Sequence, residues 1–178
     1  MSTIDLMLLG ALMRKPMNAY ELKKDMERKS VQNWIKISSP SIYKNFLKLY
    51  ERGYADAEVV REGEMPEKTV YSINDKGRGY FFSLMDRYSA DPGQIYINFC
   101  AFIANLENVD RETGLRMLGN LREHLDGAKE RSRVTLESRS DVPLPGSAVI
   151  ELYARMFETF CGWAEDFMAR YAENTKSG

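Results

Sequence analysis

Apolar residues recur at helical spacing from the start of the chain. Ile4, Leu8, Ala11 and Leu12 fall three and four apart, and Met7 and Leu9 widen the stripe. This predicts a helix through about Arg14, with Ser2 and Thr3 as candidate caps and Asp5 near its positive end. Lys15-Pro16 breaks it. Asn18 then caps a second helix, AYELKKDMERK, with Ala19, Leu22 and Met26 facing inward and Lys23, Lys24, Glu27 and Arg28 solvated. Residues 30–37 form a connector anchored by Trp34 and Ile37. A third helix follows in SPSIYKNFLKLYERG. Ser39 is its expected N-cap, and Pro40 suits the first helical position because its missing N–H would be unpaired there. Ile42, Phe46 and Leu49 make its core face, broadened by Tyr43 and Leu47, and Gly53 can end it in the left-handed conformation.

The period then changes. YADAEVVRE and KTVYSIND roughly alternate apolar and polar residues, as half-buried strands do, and Gly63 and Pro66 mark the turn between them. Asn74-Asp75 cap a further helix running toward Arg87. Helix, helix, helix, hairpin is the order of a winged helix-turn-helix, in which the third helix enters the DNA major groove. Ser41, Lys44 and Lys48 stay outward on that helix, placed for phosphates and base edges. Each residue taken alone has a plainer explanation: surface lysines are commonly just solvated, and the serines can simply cap.

After Asp91-Pro92-Gly93 the pattern is helical again. IYINFCAFIANL is apolar nearly all round, so both its sides are expected to be covered. From Asp110, a candidate cap, a long helix carries Leu118, Leu121, Leu125 and Ala128. SDVPLPGS forces a turn, and the last helix presents Val149, Leu152, Met156, Phe160, Trp163, Phe167 and Tyr171. These are coiled-coil steps, and two helices alone would leave much of that surface wet. A homodimer solves this, with Leu118, Leu121, Leu125, Val149, Leu152, Met156, Phe160, Trp163 and Phe167 at or beneath the subunit interface. Tyr96, Phe99, Phe102 and Trp163, with Phe167, also suit a pocket for a flat apolar effector, although an aromatic stripe at this spacing equally serves as plain core. The expected architecture is mainly α with a small β-hairpin wing. Residues 1–90 form a winged helix-turn-helix DNA-binding domain and 91–178 a helical, coiled-coil-like dimerisation domain.

Composition narrows the field without deciding it. The chain has 178 residues, 44% hydrophobic and 29% charged, ordinary values for a soluble globular protein. No run approaches a membrane span, and the N-terminal apolar stretch has its charges the wrong way round for a secretory signal, so a cytoplasmic location is expected. Net charge is -1, but residues 1–77 hold 13 basic and 11 acidic side chains against 12 and 15 in the rest. Cys100 and Cys161 read as two buried thiols in a reducing compartment, and His124, the only histidine, as solvated; neither supports a metal site or cofactor. There is no phosphate-cradling glycine loop, no nucleophile elbow and no paired carboxylates, so nothing supports an enzyme.

Several linked motifs in the first 77 residues resemble the PadR family of transcriptional regulators. LLGAL, then Pro16 and AYELKK, is similar to the family's opening, with Asn18-Ala19 where His-Gly is usual. Trp34 and SPSIYKNFLKLYERG resemble its Ser-Leu-Tyr-Pro-Ala-Leu recognition segment, with Ser41 and Tyr43 matching and Lys44 replacing the proline. KTVYSINDKG resembles its second wing strand, with Tyr71 matching and Val70 replacing another tyrosine. The resemblance implies a homodimer that binds an inverted-repeat operator in double-stranded DNA and usually represses, some relatives sensing aromatic compounds. The DNA contacts expected on this basis are Ser39, Ser41, Tyr43, Lys44 and Lys48, with Arg61 and Lys68 from the wing. The wing departs from the family, because Glu62, Glu64 and Glu67 stand among those cations and repel phosphate. The alternative is an adaptor whose winged domain contacts protein instead.

Overall fold

A computed structural model describes residues 3–29, 31, 35, 37–61, 63, 67–138 and 142–174. The chain divides into two compact units, Met1–Ile95 and Tyr96–Gly178.

The first unit begins with α1 (Thr3–Leu12), which stops two residues short of the expected Arg14. Pro16 accounts for this, since a proline disfavours helical backbone at the residue before it. Ser2, a candidate cap, lies outside the described residues. Asp5 does more than face the helix dipole. Only 5% exposed, its carboxylate accepts a hydrogen bond from the Tyr80 hydroxyl at 3.2 Å. α2 (Ala19–Arg28) starts with a reciprocal box: Asn18 Oδ1 accepts from the Glu21 N–H, and the Glu21 carboxylate accepts from the Asn18 N–H, both at 2.9 Å. Ala19, Leu22 and Met26 are buried, as the spacing predicts. In the connector the structure finds Val31 wholly buried and Ile37 packed against the core, while Trp34 lies outside the described residues.

After α3 (Ser39–Glu51), strands β1 (Ala55–Val60) and β2 (Lys68–Ile73) pair antiparallel, from Ala55 opposite Ile73 to Val60 opposite Lys68. Met17 adds a one-residue third strand that no periodicity announces, exchanging two 3.0 Å backbone hydrogen bonds with Tyr71. This ties the α1–α2 connection to the hairpin. Of the turn residues, Gly63 takes a φ of 61°, and Pro66 lies outside the described residues. α4 (Asp75–Ala90) is capped by Asn74, whose Oδ1 accepts from the Gly77 N–H at 3.0 Å. Leu8, Leu9, Leu22, Phe46, Leu49 and Leu84 are among the fully buried side chains of this unit.

The second unit contains α5 (Phe99–Ile103), a 3-10 turn at Leu106–Asn108, α6 (Arg111–Ser138) and α7 (Leu144–Asn174). Asp110 caps α6, its carboxylate accepting from the Thr113 N–H at 2.9 Å. α6 and α7 pair antiparallel: Arg111 donates to the Ala172 carbonyl at 2.8 Å, Arg122 bonds Glu165, and Tyr171 packs over Gly114. Three expectations are corrected here. IYINFCAFIANL is not covered on both sides within the chain: only five of its residues are α-helical, none of those is buried, and Tyr96 is 80% exposed. Two paired helices have a single seam, and α5 reaches it mainly through Phe99. Pro145 and Gly146 do not continue the turn but sit in the first turn of α7, where proline lacks no needed donor. Cys161 is buried, but Cys100 is exposed.

Candidate nucleic-acid interface

The third helix is fixed at both ends. Its N-cap is Ser38, one residue earlier than the expected Ser39. The box closes between Ser38 and Ser41: Ser41 Oγ accepts from the Ser38 N–H at 3.0 Å, and Ser38 Oγ accepts from the Ser41 N–H at 3.4 Å. Ser39 therefore becomes the first helical residue, and its side chain lies outside what is described. Ser41 also donates its hydroxyl proton to the Ser38 carbonyl at 2.7 Å. That proton already holds the helix start, so Ser41 contributes position more than a free donor. At the other end Gly53, with φ 70°, donates to the Tyr50 carbonyl, and Tyr54 donates to Leu49, both at 2.8 Å. This double closure is the Schellman arrangement. Lys76 adds a hydrogen bond to the Arg52 carbonyl at 2.6 Å.

Between these ends the helix divides sharply. Ile42, Phe46 and Leu49 are at most 3% exposed. Tyr43 and Leu47, expected to broaden that face, are instead 52% and 49% exposed, and Tyr50 is 48% exposed. The correction follows from geometry. Each lies about 100° round the helix from the core residue before it, and Phe46 alone spans the available width by stacking on Tyr71. Lys44 and Lys48 are exposed, as expected, and among the described residues no hydrogen bond or ion pair engages either. The outward side of α3 thus carries two adjoining columns, Tyr43–Leu47 and Lys44–Lys48, each one turn long.

α2 contributes an exposed aromatic–cation pair that the apolar spacing alone does not mark. Tyr20 is 54% exposed, and the Lys24 ammonium sits 4.7 Å above its ring. The Tyr20 side chain beside it holds the Lys24 ammonium pKa above the usual lysine value. The available signal was Tyr20's position, one residue off the inner stripe begun by Ala19. In the wing, Arg61 and Glu67 are exposed and Lys68 is half-buried, while Glu62 and Glu64 lie outside the described residues.

In the second unit, the structure brings Phe99 and Trp163 together, while Tyr96 is 80% exposed. Phe99 stacks on Trp163 at 5.7 Å and meets Phe160 edge-on at 5.5 Å, and Trp163 stacks on Phe167 at 5.4 Å. Phe102 is half-buried. An open cleft of about 530 Å³ lies against Phe167, Arg170, Tyr171, Glu173 and Asn174, so of the five expected pocket residues Phe167 lines it and Tyr96, Phe99, Phe102 and Trp163 do not. Of the expected interface residues, Leu118 and Leu125 are already sealed between α6 and α7. Leu121, Phe160, Trp163, Val149, Met156 and Phe167 are half-buried, and Leu152 is 62% exposed. Burial first, and then the hydrogen bond and charge of Asp126, raise the Cys161 thiol pKa and keep it protonated. His124 is exposed and its ring bonds only the Asn120 carbonyl among the bonds described. Among the described residues, no cluster suits a metal ion and no helix is long and apolar enough to cross a membrane.

The hairpin-braced, doubly capped third helix is matched by a family model. Residues 8–82 fit the transcriptional regulator PadR-like family. This segment is a PadR-like domain. It takes in the helix-turn-helix, the whole hairpin and the first half of α4. Solved structures share the fold over nearly the full chain. PadR of Bacillus subtilis in complex with operator DNA matches with a TM-score of 0.82 at 16% identity, covering 96% of this chain and 98% of that one. PadR of B. subtilis in complex with p-coumaric acid also gives 0.82, at 14% identity over 96% and 99%. The virulence activator AphA of Vibrio cholerae gives 0.74 at 15% identity over 96% and 99%. No curated protein matches the sequence. The PadR-like domain is thus followed by a helical region of the same architecture as in those structures.

Proposed function

We propose that this chain is a DNA-binding transcriptional regulator that represses by occupying an inverted-repeat operator as a homodimer. One observation carries the reading: α3 is closed at both ends and buried along one side, yet leaves Tyr43, Lys44, Leu47 and Lys48 outward on a PadR-like winged scaffold. A helix held this firmly can enter a major groove without rearranging. Lys44 and Lys48 engage phosphates, with the exposed Arg61 and half-buried Lys68 of the wing beside the same duplex, and Ser39 and Ser41 at the helix start. The second unit joins two copies through the outer side of α6 and α7, where Leu152 is 62% exposed. Leu118 and Leu125 support that surface from beneath. Repression is preferred to activation because occupancy of a promoter suffices for it. The chain would act in the cytoplasm, where its operator is.

The aromatic ladder of Phe99, Phe160, Trp163 and Phe167 suits a flat aromatic effector, a reading supported by the p-coumaric acid complex of a protein with the same fold. The adaptor reading draws on the near-neutral first half of the chain and the exposed Glu67 of the wing.

Titration of genomic duplex fragments at two salt concentrations tests the proposal. Binding should weaken steeply with salt. Lys44→Ala and Lys48→Ala should each weaken it further and shallow the salt slope by about one. Absence of binding even at low salt would favour the adaptor.

A further inference from the structure

We infer that Leu47 is a base-reading residue that selects thymine, through its 5-methyl group, at one position in each operator half-site. This rests on the proposed entry of α3 into the major groove. A single exposed leucine ordinarily needs no explanation. Leu47 differs in its surroundings. It is 49% exposed on the outward side of a helix whose inner side is sealed, and Tyr43, one turn before it, is 52% exposed. The column they form adjoins the Lys44–Lys48 column, about 100° away round the helix.

A helix of about 10–12 Å diameter nearly fills a major groove about 12 Å wide. Within it, one flank of the helix meets a sugar–phosphate wall and the neighbouring flank meets base edges. The cations fit the wall, because lysine neutralises phosphate and reads little sequence. The Leu47 column then meets the bases. Leucine has no donor or acceptor, so it cannot satisfy the N7 and O6 of guanine or the N4 amino group of cytosine. Covering those groups would strip water from them without replacement. The thymine methyl is the one apolar feature on the groove floor, so it is the edge that Leu47 fits. The preference therefore combines a gain at thymine with a penalty at G·C pairs.

The test uses the full-length protein and a pool of random-sequence duplexes. The tightest selected site is then resynthesised with deoxyuridine replacing each thymine in turn, which removes only the methyl. One thymine per half-site should be required, and its replacement should weaken binding about fourfold. Leu47→Ala should bind the thymine and deoxyuridine duplexes equally, whereas Leu47→Met should keep the discrimination. Because Leu47 is exposed, both variants should melt as the parent does, which circular dichroism checks. Deoxyuridine tolerated at every position, or an equal loss in Leu47→Ala and the parent, overturns the assignment while leaving DNA binding intact. If no duplex is bound at low salt, the underlying proposal fails first.

Discussion

The rings of Phe46 and Tyr71 stack with their centroids 4.8 Å apart and their planes 1° from parallel. Phe46 is the wholly buried centre of α3, and Tyr71 is the residue of β2 that also pairs with Met17. One contact therefore sets three things together: the seat of the third helix, the position of the hairpin and the path of the α1–α2 connection. The outward direction of Lys44, Leu47 and Lys48 is a consequence of that seat.

Phe46→Ala should cost about 3–5 kcal/mol, the range for emptying a buried aromatic site. Urea denaturation of the full chain measures it. The same change should weaken DNA binding more than Lys48→Ala does, because it frees the whole helix instead of removing one phosphate contact. A loss below about 1 kcal/mol would mean that Phe46 is not the seat described.

Two glycines of α4 should respond oppositely to alanine. A Cβ on Gly77 would stand 1.9 Å from the Tyr54 carbonyl oxygen and 2.9 Å from Ile73 Cγ1, so backbone must move. Gly77→Ala should destabilise by about 1–3 kcal/mol. A Cβ on Gly79 meets nothing within 4 Å, and Gly79→Ala should stabilise by about 0.5–1 kcal/mol through helix propensity. Thermal melts of the two variants beside the parent decide both signs.

Much of this was legible because it depends on local chemistry. Asn18, Asn74 and Asp110 cap where their side chains and the following apolar period indicate. Strand alternation likewise located the hairpin. SSPS offers two serines before proline as caps for α3, and only the reciprocal bonds with Ser41 choose Ser38 over Ser39. Tyr43 and Leu47 lie outside the core face that spacing assigns them, because a helical stripe does not state its width. That width is set by Phe46 and Tyr71, distant in sequence and in contact only once folded. The exposure of Tyr96 escaped for a related reason, since apolar composition says that a surface seeks cover and not whether the same chain supplies it.

Asp25 should give the fold an acid-sensitive component. Its carboxylate is held by Lys29 at 2.6 Å, Arg14 at 2.7 Å and Arg28 at 2.9 Å, joining the end of α1 to α2. Burial alone would raise its pKa. The hydrogen bonds from Lys29 and Arg28 and the charges of Lys29 and Arg14 outweigh that and set it below the ordinary aspartate value. A carboxyl depressed in the folded state stabilises it fully above the unfolded pKa of about 3.9, and that contribution is lost as pH falls through the folded value. Asp25→Asn should therefore lower the melting temperature at about pH 7 and make little difference at about pH 2.5. An equal loss at both pH values would assign the effect to packing.

Leu152 is the residue whose substitution best separates assembly from folding. It stands on α7 with 62% of its surface exposed, whereas Leu118, Leu125 and Ala164 close the α6–α7 seam further along the helix pair. A charge at position 152 thus leaves the seam intact but must be desolvated if that surface meets a second copy. The parent should sediment at about twice its 20.5 kDa chain mass, and Leu152→Glu should sediment as a monomer with unchanged helical circular dichroism. Loss of the dimer converts two linked half-site contacts into one, so operator affinity should fall by about 10²–10⁴. Binding to a single half-site should change little. A monomeric parent, or a Leu152→Glu variant that remains dimeric, would place the joining surface elsewhere on the molecule.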